Sequence, residues 1–170
     1  MAISRNIESL AKQVGEALLA RGWFLATAES CTGGGVAAAL TDIAGSSRWF
    51  ERGFVTYSNE SKQEMLGVSA RMLAEYGAVS EATVREMVRG ALDHSRAQVA
   101  LAVSGIAGPG GGAPNKPVGM VCFAWGVAGA EPVSRTDYFQ GDRASVRAQS
   151  VVAALQGAFD VLARADQDFR

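Results

Sequence analysis

Histidine is almost missing from this chain, which carries a single one, His94. That scarcity removes histidine-ligated metal clusters and makes a Ser-His-Asp triad depend on one residue. The stretch Leu92-Asp93-His94-Ser95-Arg96 reads as the polar end of a helix, where an imidazole suits the helix dipole and faces water. Cysteine is nearly as scarce. Cys31 and Cys122 make no CxxC pair and have no histidine near them, so neither a zinc site nor a disulfide framework is indicated; both read as small buried residues. An excess of charge of one sign is also lacking, because 16 Lys+Arg against 17 Asp+Glu leave a formal net charge of −1 with no block of like charges. Nothing therefore advertises nucleic acid as a partner. No apolar run approaches the roughly 20 residues that span a bilayer, and the opening residues lack the basic-then-apolar order of a signal peptide. These absences predict a cytoplasmic chain with no membrane partner.

What is present is a globular composition, 48% hydrophobic and 19% charged over 170 residues, enough for one domain with its own core. The whole chain, 1–170, reads as that single domain. Ile7, Leu10, Ala11, Val14, Ala17 and Leu18 recur at helical spacing and Arg21-Gly22 supplies a stop, predicting a helix near 4–21. Trp23 to Ala28 reads as a strand, and Thr32 as the N-cap of a second helix through Val36, Ala37 and Leu40. Further strands are expected at Phe54 to Tyr57, Val99 to Val103, Val118 to Trp125 and Val133 to Phe139. Helices are expected from Asn59 to Leu66, from Ser80 through Leu92, and from Arg143 to Leu162. Alternation of this kind predicts an α/β fold, a three-layer α/β/α sandwich around a mainly parallel sheet. The short Gly129-containing turn after Trp125 requires at least one antiparallel strand, so the sheet is mixed.

With histidine scarce, lysine is the obvious alternative base, and the chain has only Lys12, Lys62 and Lys116. Lys12 falls on the exposed face of the first helix and Lys116 in a loop. Lys62 follows a strand by one helical turn, close to where ligands gather in α/β sheets, although most lysines are solvated surface residues. Three small-residue clusters follow or flank strands: Ser30-Cys31-Thr32-Gly33-Gly34, Gly45-Ser46-Ser47, and Ser104 to Gly112. Backbone amides freed at such turns can hold a phosphate or an oxyanion, and three of them on one sheet edge would point to an anionic ligand. None has the spacing of a Walker A loop or a dinucleotide fingerprint.

Taken together, Thr27-Ala28-Glu29-Ser30-Cys31-Thr32-Gly33-Gly34, Ile43-Ala44-Gly45-Ser46-Ser47, Gly53-Phe54-Val55-Thr56-Tyr57-Ser58-Asn59, Ser104-Gly105-Ile106-Ala107-Gly108-Pro109 and Lys116-Pro117-Val118-Gly119 carry a resemblance. The chain resembles the nicotinamide-nucleotide amidohydrolase family, the domain that ends the competence/damage-inducible CinA proteins, from about residue 5 to 165. The resemblance implies a five-stranded mixed sheet, no cofactor and no metal. It also implies hydrolysis of nicotinamide mononucleotide to nicotinate mononucleotide and ammonia, by a homo-oligomer of two or more copies. It puts the catalytic pair on Ser47 as nucleophile and Lys62 as base, with Tyr57 and Ser30 lining the same site. Ser46 is adjacent to Ser47, and Ser30 sits on a turn that could also present a nucleophile.

Amide hydrolysis needs an activated nucleophile, donors for a tetrahedral oxyanion and a proton for departing ammonia. Lys62 can take and return the proton, provided that burial near Phe54 and Tyr57, or a cation such as Arg52 or Arg143, lowers its pKa. Thr32, Gly33, Ser46, Gly105 and Gly108 are candidate contacts to substrate, and Arg143, in Gly141-Asp142-Arg143, could pair with a phosphate. Two rival readings stand beside this one: a non-catalytic module that binds pyridine nucleotides, and an amidohydrolase acting on another nucleotide amide.

Overall fold

The sheet has strand order β2-β1-β3-β4-β5, with β1 Leu25–Glu29, β2 Phe50–Val55, β3 Val99–Gly105, β4 Met120–Val127 and β5 Val133–Tyr138. The structure, a computed structural model, describes residues 2–165; Met1 and residues 166–170 of the expected 1–170 domain lie outside the described residues. β1 pairs in parallel with β2 and β3, whereas β4 is antiparallel to both β3 and β5. Four of the five strands therefore point one way and β4 alone is reversed. β1, β2, β3 and β5 all end at one edge of the sheet, where β4 begins.

Two helical layers cover the faces. α1 (Ala2–Arg21), α2 (Gly35–Thr41) and α6 (Arg143–Ala165) pack on one, and α3 (Asn59–Leu66), α4 (Ala70–Tyr76) and α5 (Glu81–Asp93) on the other. The central strand β3 shows how sequence assigns the faces, because its alternation sends Val99, Leu101 and Val103 into the core under α1 and α6. Its Ala100 and Ala102 go under α5 instead. Large side chains on one face and alanines on the other let α5 lie close to the sheet. On the other face α6 packs on β4 through a glycine, since Gly157 leaves room for the Trp125 indole, whose Nε1 donates to the Ala154 carbonyl at 2.9 Å.

Several boundaries differ from the sequence expectation. β2 starts at Phe50 and ends at Val55, four residues earlier at its start than the apolar run Phe54 to Tyr57 suggested, because its pairing with β1 continues through the half-buried Phe50 and exposed Arg52 and Gly53. Thr32 is not the cap of α2. Gly34, at φ 99°, occupies the N-cap position, and the helix amides of Val36 and Ala37 are instead satisfied by the Glu29 carboxylate at 2.8 and 3.0 Å. α4, capped by Ser69 and closed by Gly77, and the short 3-10 turn Ser46–Arg48 are additions to the expected elements.

Candidate active site

The turn Ser30 to Gly34 leaves the end of β1, the segment Thr56 to Ser58 leaves the end of β2, and residues 106–119 leave the end of β3, all on one edge. The start of α6 reaches the same edge. Lys62 enters from α3, whose ends are fixed by the Ser58 hydroxyl accepting from the Ser61 amide and by Gly67 in the left-handed region at the other end. Its side chain is fully buried, at 0% exposure. The ammonium nitrogen donates to Ser30 Oγ at 3.0 Å, to the Thr56 carbonyl at 2.7 Å and to the Tyr57 carbonyl at 3.2 Å.

Burial pushes the Lys62 pKa down to about 8, with no cationic neighbour contributing. Arg52, one of the two cations expected to help, instead pairs with Glu51 and donates to the His94 carbonyl at 3.0 Å. In the neutral amine, the two carbonyls take the two N–H groups, and the nitrogen lone pair is left toward Ser30 Oγ. A serine hydroxyl 3.0 Å from such a lone pair is placed to lose its proton to it.

Ser47 does not share this site, which corrects the expected Ser47–Lys62 pairing. Its turn precedes β2, and β2 runs parallel to β1, so Ser47 lies at the sheet edge opposite to Ser30, a strand length of about 15 Å away. Ser46 lies there with it, and the neighbouring Arg48 and Trp49 line a hollow with Lys12 and Glu16 of α1. The Gly45-Ser46-Ser47 cluster thus leaves the set of turns expected on one edge, since it enters a strand rather than leaving one.

The other expected residues do converge. Tyr57 lends its carbonyl to Lys62, while the residue is 61% exposed and its hydroxyl accepts from Arg143 Nη2 at 3.2 Å. Arg143 Nη1 donates to the Gly108 carbonyl at 2.8 Å, so α6 ties the β3 loop to the β2 loop. Gly105 ends β3 against Val121, where a Cβ would stand 2.6 Å from that side chain. Thr32 spends its hydroxyl on Glu29 Oε1 at 2.6 Å rather than on a ligand. Gly33, at φ 59°, turns the chain beneath Arg147.

Two residues escaped the sequence reading. Glu29 is a buried carboxylate that accepts from Thr32, Val36 and Ala37, and so locks the Ser30 turn to the start of α2. Arg147 donates from Nε to the Cys31 carbonyl at 3.1 Å and from Nη2 to the Thr32 carbonyl at 3.2 Å. Its spacing of four from Arg143 puts both guanidinium groups on one face of α6, a signal the sequence did contain. The amides of Thr32 and Gly34 have no acceptor among the described residues, which leaves donors in the turn that carries Ser30. Cys31 is a buried thiol whose pKa burial pushes up to about 11, so it stays protonated next to the dyad. His94 caps α5, its Nδ1 2.8 Å from the Gly90 carbonyl. Among the described residues no group of three or more His, Cys, Asp or Glu is gathered to hold a metal ion, and no helix is long and apolar enough to cross a membrane.

Known proteins carry the same arrangement of sequence. Nicotinamide-nucleotide amidohydrolase PncC of Escherichia coli (strain K12) is 58% identical over 151 residues, covering 89% of this chain and 92% of that protein. The PncC of Pseudomonas putida is 52% identical over 151 residues, covering 89% and 94%. The crystal structure of a CinA superfamily protein from Klebsiella pneumoniae superposes with a TM-score of 0.89 at 44% identity, covering 93% of this chain and 98% of that one. Residues 7–162 match the CinA C-terminal domain family, and the chain belongs to it.

Proposed function

We propose that this protein hydrolyses the carboxamide of nicotinamide mononucleotide to nicotinate mononucleotide and ammonia, with Ser30 as nucleophile and Lys62 as its general base. The observation that carries the mechanism is the buried amine of Lys62, 3.0 Å from Ser30 Oγ, with a pKa near 8. The substrate follows from relatives 52–58% identical over nearly their whole length that bear the name nicotinamide-nucleotide amidohydrolase.

In this reading Lys62 accepts the Ser30 proton as the oxygen attacks the amide carbon, and the unpartnered amides of the 31–34 turn receive the developing oxyanion. Lys62 then returns the proton to the departing amine. Water, deprotonated by the same lysine, releases the acid from the serine ester. Arg143, anchored on Tyr57 and Gly108, presents its remaining donors to the phosphate, and the exposed ring of Tyr57 flanks the pyridinium. The chemistry asks for no cofactor. The protein is further proposed to act in the cytoplasm as a homo-oligomer.

The test measures ammonia release from nicotinamide mononucleotide by the wild type and by Ser30→Ala and Ser47→Ala. Turnover should fall at least about a thousand-fold in Ser30→Ala, as when a nucleophile is removed from a concerted set, and stay within about two-fold in Ser47→Ala. Loss in Ser47→Ala with activity kept in Ser30→Ala would return the nucleophile to the other edge of the sheet. Binding without ammonia release by the wild type would favour a sensor over an enzyme.

A further inference from the structure

The turn that carries Ser30 is tied to a buried acid. Glu29 accepts from the Thr32 hydroxyl and from the Val36 and Ala37 amides, so both its oxygens fill the acceptor role of an ionised carboxylate. A negative charge held against this turn opposes any second one that develops there during amide cleavage. Arg147 brings the opposite sign to the same turn. It has no carboxylate partner among the described residues, so no ion pair cancels its charge.

The two bonds of Arg147 fall on two different peptide groups. The Cys31 carbonyl, which accepts from Nε at 3.1 Å, shares its peptide with the Thr32 amide, a donor without an acceptor among the described residues. The Thr32 carbonyl, which accepts from Nη2 at 3.2 Å, shares its peptide with the Gly33 amide, and that amide closes the turn on the Ser30 carbonyl at 3.0 Å. A peptide group is one conjugated unit. A guanidinium on its carbonyl oxygen draws electron density from the nitrogen and makes the N–H at the other end a stronger donor.

We propose that Arg147 is a positioning residue for the reaction: it holds and polarises the 31–32 peptide from its carbonyl side, so that the Thr32 N–H becomes a charge-backed donor to the oxyanion. The inference rests on the Ser30–Lys62 mechanism above. Arg143, one helical turn earlier, is used differently, because its donors go to the Gly108 carbonyl and the Tyr57 hydroxyl. The Gly34 amide, the other free donor of the turn, belongs to a peptide whose carbonyl, on Gly33, receives nothing from Arg147, and so serves as an internal reference. A relay of this kind acts as charge develops on the substrate oxygen, so its loss lowers kcat and leaves KM. A direct bond from Arg147 to the substrate phosphate would raise KM instead.

Steady-state ammonia release from nicotinamide mononucleotide by Arg147→Met should show kcat reduced about ten- to a hundred-fold, somewhat less than when an oxyanion donor is itself removed, with KM within about two-fold. Arg147→Lys keeps the charge but has no planar fork to span two carbonyls, so its kcat should fall between the two. The pH profile of both variants should keep its apparent pKa of about 8, because Arg147 does not touch Lys62. A readout free of turnover comes from the amide signals of nitrogen-15-labelled protein without substrate. The Thr32 amide proton should move upfield in Arg147→Met, and that of Gly34 much less. A kcat within about two-fold of wild type, a loss confined to KM, or a Thr32 signal that moves no more than that of Gly34 overturns the proposal. An active Ser30→Ala, or a wild type that releases no ammonia, removes the mechanism and the relay with it. An inactive Ser30→Ala beside an unaffected Arg147→Met removes the relay alone.

Discussion

Lys62 is a charged side chain placed where charge is unfavourable, and its chemistry follows from that placement. With a pKa near 8, about one amine in five is neutral at pH 7.4, against about one in a thousand for an unperturbed lysine. The rate from limiting substrate should therefore rise with pH through an apparent pKa of about 8 and level off above it. Lys62→Arg should be inactive across the same range, because guanidinium keeps its proton. A flat profile from pH 6 to 10, or an active Lys62→Arg enzyme, would remove the lysine as base. The same burial has a cost in stability whose sign can be worked out. The folded pKa lies below the unfolded value of about 10.4, so between pH 8 and 10.4 the unfolded chain binds more protons and stability rises with pH. Below pH 8 both states are protonated and the full penalty, roughly 3 kcal/mol, is present. Denaturant titrations of Lys62→Met should show the stability of the variant relative to wild type decreasing by about that amount from pH 7.5 to 10.5. A constant difference would mean that the amine is not desolvated as the structure has it.

At the scale of elements, α3 is what aims Lys62, and α3 is placed by α5. A Cβ on Gly90 would stand 1.9 Å from the Leu66 carbonyl oxygen, so the two helices meet only because position 90 has no side chain. Gly90→Ala should lower stability by roughly 1–3 kcal/mol despite its better helix propensity. It should also reduce kcat more than it raises KM, since α3 must shift and carry the amine away from Ser30. Thermal melts and steady-state kinetics on one preparation check both. α3 itself was legible to the residue in the sequence, because Ser58 and Gly67 mark its ends with side-chain and left-handed caps. α4 was not, since its seven residues are too few to show a period, although Ser69 and Gly77 frame it in the same way. The cap of α2 was misread for a different reason. Thr32 has the right chemistry, but Glu29, three residues earlier and buried at a strand end, reaches the helix amides first.

Across the whole molecule, composition and alternation sufficed for the layers, the mixed sheet and the edge on which the Ser30 and Ser104 turns lie. The partner of Lys62 was beyond them. Ser30 and Lys62 are 32 residues apart and meet only because β1 and β2 lie side by side in parallel, a pairing that also carries Ser47 to the far edge. Local pattern holds no record of which strands adjoin. The same long reach appears in Arg147, which holds the carbonyls of Cys31 and Thr32 from more than a hundred residues downstream. That clamp bears on the order of events during synthesis. The first 66 residues contain Ser30, Lys62 and the Glu29 lock on the Ser30 turn, yet the second fastening of that turn, through the Cys31 and Thr32 carbonyls, is made only after α6 has emerged and docked. The nascent chain thus carries Ser30 and Lys62 before it carries the Arg147 brace, and on the proposed mechanism full amide-cleaving competence waits for the last helix rather than growing gradually as the chain lengthens.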